Sequence, residues 1–75
     1  MPLVNLKVIE GIFSQNQKHE MARKLTDAVI AVAGENLRPV TTVIIDEVKS
    51  GDWAMGGNPI TTEHVKEIAA GKPKS

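Results

Sequence analysis

The stretch from Val40 to Val48 sets the terms for this chain. Its centre, Val43-Ile44-Ile45, is apolar and β-branched at successive positions, so a strand built from it carries apolar side chains on both faces. Such a strand belongs in the middle of a sheet, with neighbours beside it and material packed above and below. The whole chain has 75 residues, and a chain of that size buries only about 60% of the surface that its unfolded form exposes. It contains no cysteine, which removes a disulfide framework and a cysteine-based zinc site as sources of extra stability and fits a reducing compartment. Oligomerisation is the remaining route.

Upstream, Leu3 to Ile9 reads as the partner strand. Val4, Leu6 and Val8 share one face at period two, and Pro2 suits the strand's start, where a missing N–H disrupts no ladder bond. Glu10-Gly11 ends it. Ser14-Gln15-Asn16-Gln17 is a capping box that opens a helix. Met21, Leu25, Ala28, Val29 and Val32 form its expected apolar stripe, and Gly34 is its expected C-cap. Leu37-Arg38-Pro39 reads as an extended connector, because a residue before proline is pushed away from helical angles. Strand, helix and strand in this order form a βαβ unit with parallel strands and a right-handed crossover.

Ser50-Gly51-Asp52 reads as a turn, and Trp53 to Gly57 as a short hairpin arm bent at two glycines. Thr61 caps an expected short helix from Thr62 to Ala70, closed by Gly71 and Pro73, with Lys72 to Ser75 expected to fray. The expected fold is therefore α+β: a βαβ protomer with parallel strands, a C-terminal hairpin arm and an extra short helix, completed by oligomerisation.

Nine basic and nine acidic side chains give a net charge of zero. The electrostatic footprint of a nucleic-acid or membrane-surface binder is missing. No apolar run approaches a membrane span and no targeting signal is visible, so the expected location is the cytoplasm. His19 and His64 lie on separate helices without a second ligand at metal spacing. Gly51, Gly56 and Gly57 do not have the spacing of a phosphate loop. Asp46 and Glu47 are adjacent on a strand and point to opposite faces, so at most one can reach any pocket.

Chemistry concentrates at Pro2. Loss of Met1 would leave a free secondary amine at the mouth of the first strand. A terminal amine titrates at about 7.7–8.0 in small peptides, and desolvation or a nearby cation pushes that value toward neutrality. A base poised there suits proton abstraction next to a carbonyl. With Met1 attached, the Pro2 nitrogen is an amide without a basic lone pair.

Pro2 after Met1, Val8-Ile9-Glu10-Gly11, Gln17-Lys18, Val43-Ile44-Ile45-Asp46-Glu47 and Gly51-Asp52-Trp53-Ala54-Met55-Gly56-Gly57, in this order, resemble the 4-oxalocrotonate tautomerase family. The resemblance covers roughly residues 2 to 58 of a single 75-residue domain, with 59 to 75 as a C-terminal extension. It implies a homo-oligomer, usually a hexamer assembled as a trimer of dimers, and no cofactor. It also implies a small-molecule substrate, an enol or unsaturated keto acid, whose proton the mature N-terminal proline moves. Neither nucleic acid nor membrane is an implied partner.

This chain departs from the family at two arginine positions that hold the substrate carboxylate and polarise its carbonyl. They read Ile12 (or Phe13) and Thr42 here. The chain's only arginines are Arg23, expected as a solvated helix charge, and Arg38, a candidate substitute anion clamp whose alternative is an ion pair with Glu35 or Glu47. Trp53 matches an aromatic wall of the family's site and is equally suited to anchor an interface. Proline-dependent hydration or dehalogenation of an unsaturated acid, and an assembly protein of the same shape without catalysis, are the other readings of this pattern.

Overall fold

A computed structural model describes residues 1–71; the expected fraying of Lys72 to Ser75 and the stop at Pro73 lie outside them. The elements in order are β1 (Leu3–Ile9), α1 (Gln15–Ala33), a 3-10 helix (Glu35–Val40), β2 (Thr42–Val48), β3 (Trp53–Met55), β4 (Asn58–Ile60) and α2 (Thr62–Ala69). β1 pairs with β2, and β3 with β4, in two two-stranded sheets. The strands β1 and β2 are parallel: the Thr42 N–H donates to the Pro2 carbonyl at 2.9 Å, and the Glu10 N–H to the Val48 carbonyl at 2.9 Å, so both numbers rise together. The α+β fold expected from the sequence is the one observed. Two compact units divide these elements, Met1–Lys7 with Phe13–Asp46, and Val8–Ile12 with the chain from Glu47 onward.

In the first unit, α1 starts where the capping box places it. The Gln17 N–H donates to Ser14 Oγ at 3.1 Å, and the Ser14 N–H to Gln17 Oε1 at 2.8 Å. Its inward stripe differs from the expected one. Met21, Leu25 and Val29 are half-buried as expected, but Ala28 is exposed, Val32 is 91% exposed, and Ile30 is the buried residue. Lys18, Met21, Ala22, Leu25, Thr26, Val29 and Ile30 are the covered positions. They follow the i, i+3, i+4 rhythm of one helix face, centred a little to the side of the stripe that apolarity alone selects. The Lys18 stem and the Thr26 methyl take places that a strictly apolar reading assigns elsewhere, and the Thr26 hydroxyl is satisfied by the Ala22 carbonyl at 2.8 Å.

The connector is the second correction. Residues 35–40 are not extended but coil into a 3-10 helix with Pro39 inside it, and β2 starts at Thr42 rather than Val40. A short 3-10 helix superimposes side chains three apart, which stacks Glu35 over Arg38; their pairing at 2.7 Å gives the turn a side-chain clasp. The Thr41 N–H closes it on the Arg38 carbonyl at 3.2 Å.

In the second unit, Val8 and Ile9 at the end of β1 are buried. The hairpin arm forms as expected, with Trp53 opposite Ile60 and Met55 opposite Asn58. Its bend uses Gly56 and Gly57 at φ 59 and 84, the positive angles that a tight two-residue turn demands. Thr61 caps α2, accepting from the His64 N–H at 3.3 Å. Thr62, the next residue, is the only buried polar residue among those described. Its hydroxyl donates to the Glu10 carbonyl at 2.6 Å and its N–H donates to Ser50 Oγ at 3.0 Å, while the Ser50 N–H donates to Glu10 Oε2 at 2.9 Å. A Cβ added at Gly11, where φ is 80, would come within 3.3 Å of the Thr62 methyl. This corner therefore needs glycine for both angle and space.

Candidate functional site

Pro2 is half-buried at the entry to β1 and held from both sides by the segment leading into β2. Its carbonyl accepts from Thr42, and the Met1 ammonium donates to the Val40 carbonyl at 3.1 Å. The residue that precedes Pro2 in the chain thus lies against the residue that follows the Arg38-Pro39 pair. Thr42, one of the two positions where the resemblance leads one to look for arginine, meets Pro2 through a backbone hydrogen bond and is itself exposed. Ile12, the other, is half-buried and apolar.

Arg38 is committed within the chain. Nε donates to Glu35 Oε1 at 2.7 Å, Nη2 to Glu35 Oε2 at 3.4 Å, and Nη1 to Asp27 Oδ1 at 2.7 Å. Hydrogen bonding to Arg38 holds the Glu35 carboxyl below the usual carboxylate range, and the bonds from Arg38 to Glu35 and then to Asp27 raise the guanidinium's pKa further. One cation between two anions leaves this cluster with a formal charge of −1.

The Glu35 contact was one of the alternatives legible in the sequence. Asp27, eleven residues away on α1, carried no local signal. Arg23 is exposed, as expected, but it lines a surface groove of about 320 Å³ together with Ala22, Thr26, Asp27, Arg38 and Val43. The fold therefore brings the chain's two arginines to one groove.

Trp53 belongs to the second unit, on β3, and is half-buried. Its indole Nε1 is shut off from solvent and has no hydrogen-bond partner among the described residues. A buried indole N–H without an acceptor is costly and uncommon.

Asp46 accepts from Asn5 Nδ2 at 3.0 Å and Lys7 Nζ at 3.1 Å, and these contacts, the Asn5 hydrogen bond first, hold its carboxyl below the usual range. Glu47, its neighbour, is exposed. His19 contacts Gln15 at 3.2 Å. No group of three or more potential metal ligands occurs among the described residues. No helix among them is long and apolar enough to cross a membrane.

A family model described as tautomerase enzyme matches residues 2–63. A protein of Dickeya dadantii named "Probable tautomerase" is 36% identical over 62 residues, covering 81% of this chain and 90% of its own length. Among solved structures, DmpI from Helicobacter pylori superimposes with a TM-score of 0.69 at 30% identity, covering 77% of this chain and 94% of that one. TomN, a 4-oxalocrotonate tautomerase homologue of a tomaymycin biosynthetic pathway, gives 0.71 at 24% identity over 91% of this chain and 95% of its own, a likeness of fold.

Proposed function

This chain belongs to the tautomerase family, and from that premise we propose that it is a cofactor-independent isomerase whose catalytic base is the Pro2 amine, freed by removal of Met1. The observation that carries the proposal is that the family match begins at Pro2 itself, which here sits at the start of a strand and is held by the segment from Val40 to Thr42. The amine takes the proton of an enol hydroxyl, becomes a secondary ammonium, and returns that proton to carbon as the carbonyl forms. Atoms and electrons balance without a redox partner or a metal.

Arg38 receives the substrate carboxylate in this reading, by exchanging it for one of the carboxylates it already holds. Trp53, carried on the arm of a neighbouring copy, supplies the apolar wall that favours a neutral amine. Its unpartnered N–H and the exposure of Leu3, Met55, Val32 and Ile68 in the single chain support an assembly of several copies, for which a hexamer built as a trimer of dimers is proposed. Residues 2–58 form the catalytic core in this proposal, 59–75 an extension of it, and the cytoplasm is the proposed location.

The test is Pro2→Ala in protein whose intact mass shows that Met1 is absent. Enol-to-keto conversion of a phenylpyruvate-type compound is expected to fall by about 100-fold or more, the range typical for loss of a general base. Unchanged turnover sinks the role given to Pro2. A second reading, an assembly protein of this fold without catalysis, is favoured by one observation: neither Ile12 nor Thr42 offers a cation, and Arg38 is already paired. It predicts no turnover in protein that lacks Met1. Hydration or dehalogenation of an unsaturated acid through the same amine is distinguished by its products.

A further inference from the structure

Resting on the Pro2 reading above, we infer that the freed amine completes a ladder bond that a proline inside a chain never makes, donating to the main-chain carbonyl of Val40, and that this bond aims the amine's lone pair. Strand register places it there. In a parallel pair, a residue bonds the two positions that flank its opposite on the neighbouring strand, its N–H to the carbonyl on one side and its carbonyl to the N–H on the other. Glu10 shows the donor half, with its N–H on the carbonyl of Val48, 38 positions later (10 to 48). Pro2 shows the acceptor half, with its carbonyl on the N–H of Thr42, 40 positions later (2 to 42). Both halves belong to one register, in which Thr41 stands opposite Pro2. The donor half of Pro2 therefore falls on Val40.

While Met1 is attached, the Pro2 nitrogen has no hydrogen to place there. The Met1 ammonium, one residue earlier, takes the carbonyl instead at 3.1 Å. Removal of Met1, which is 78% exposed, takes away that donor and creates another, because a secondary amine carries one N–H and its ammonium two. The carbonyl that loses the first donor stands at the ladder position of the second. Val40 is not free to turn away, since the residues after it are fixed. The Thr41 N–H donates to the Arg38 carbonyl at 3.2 Å, the Thr41 hydroxyl to the Leu37 carbonyl at 2.9 Å, and the Thr42 N–H to the Pro2 carbonyl at 2.9 Å.

The bond gives the base a direction. In the neutral amine the single N–H lies on Val40 and the lone pair points away from it, so one side of the nitrogen meets the enol hydroxyl. In the ammonium, one N–H stays on Val40 and the other is the proton returned to carbon. Hydrogen bonding also favours the charged form. It offsets the desolvation that an apolar wall imposes and keeps the amine basic enough to take a proton.

The test is an NMR titration of isotope-labelled protein whose intact mass lacks Met1, following the Pro2 amine nitrogen and the main-chain carbonyl carbons, beside a crystal structure of the same protein. The Val40 carbonyl carbon and the Pro2 nitrogen are expected to follow one curve with a common midpoint. The change at Val40 should be several-fold larger than at the Leu37 carbonyl, which Thr41 already holds. The distance from the Pro2 nitrogen to the Val40 oxygen is expected within about 3.2 Å. A Val40 carbonyl that stays flat through the amine's transition overturns the inference, and so does a distance beyond about 3.5 Å.

Neither readout needs turnover. If Pro2 and Val40 titrate together while Pro2→Ala leaves enol conversion unchanged, the catalytic reading of Pro2 fails and the pairing stands. If Pro2→Ala abolishes conversion while Val40 stays flat, the pairing alone fails.

Discussion

Thr62→Val isolates a buried polar side chain that ties α2 to the end of β1. Valine keeps the β-branched shape and the methyl that faces Gly11, so the packing at that corner is preserved. What disappears is the hydroxyl donating to the Glu10 carbonyl at 2.6 Å across 52 residues of sequence. An intramolecular hydrogen bond is worth about 1 kcal/mol net, and because the donor residue Thr62 is only 8% exposed, a methyl in place of its hydroxyl leaves the part-buried end of the Glu10 carbonyl incompletely rehydrated; together they give about 1–2 kcal/mol.

For a domain of this size that corresponds to a fall in melting temperature of roughly 5–15 °C. The assay is thermal unfolding followed by far-UV circular dichroism and by the fluorescence of Trp53, the chain's single tryptophan, at fixed protomer concentration because assembly shifts the midpoint. Thr62→Ser is the control: it keeps the donor and loses one methyl, about 0.8 kcal/mol. The reasoning is refuted if Thr62→Val stays within about 0.5 kcal/mol of wild type, the scatter of ordinary surface changes, or if Thr62→Ser is the more damaging of the two.

Two further outcomes follow from the same geometry. Ser14→Ala removes the acceptor for the Gln17 N–H and half of the capping box; urea unfolding should show about 1 kcal/mol of lost stability, whereas Gln15→Ala, outside the box, should not. Asp46 has a lowered pKa, so its contribution is present above its ordinary value of 3.8 and is lost as pH falls below it. Asp46→Asn should therefore be less stable than wild type near pH 6, with the gap closing in melting curves taken below pH 3.8; a gap that is constant with pH rejects the Asn5–Lys7–Asp46 cluster as its cause.

Much of the backbone was legible in the residues because its signals act over one turn of chain. Ser14 and Gln17 are three apart and cap α1 through each other; Gly56-Gly57 bends the hairpin through its own backbone angles; the alternation from Leu3 to Ile9 fixes β1 without help from elsewhere. The 3-10 helix was missed because the rule for residues before proline disfavours the α-helix, and the tighter turn escapes it when Glu35 and Arg38 stack at i, i+3. The stripe of α1 was displaced because burial depends on which neighbours cover a position, so a threonine and a lysine stem can lie inward while Val32 faces out.

For the candidate site the division is similar. The sequence by itself determined Pro2, its place at the mouth of a strand, and the lack of cations at Ile12 and Thr42, since these are matters of residue type and order. Only the tertiary structure decided that Asp27 shares Arg38 with Glu35, that Arg23 stands at the same groove, and that Thr62 closes on Glu10. Hydrogen bonds and ion pairs act over about 3 Å of space, whereas the residues they join here lie 11 and 52 positions apart, and chain order places no such constraint on side chains that only the folded backbone brings together.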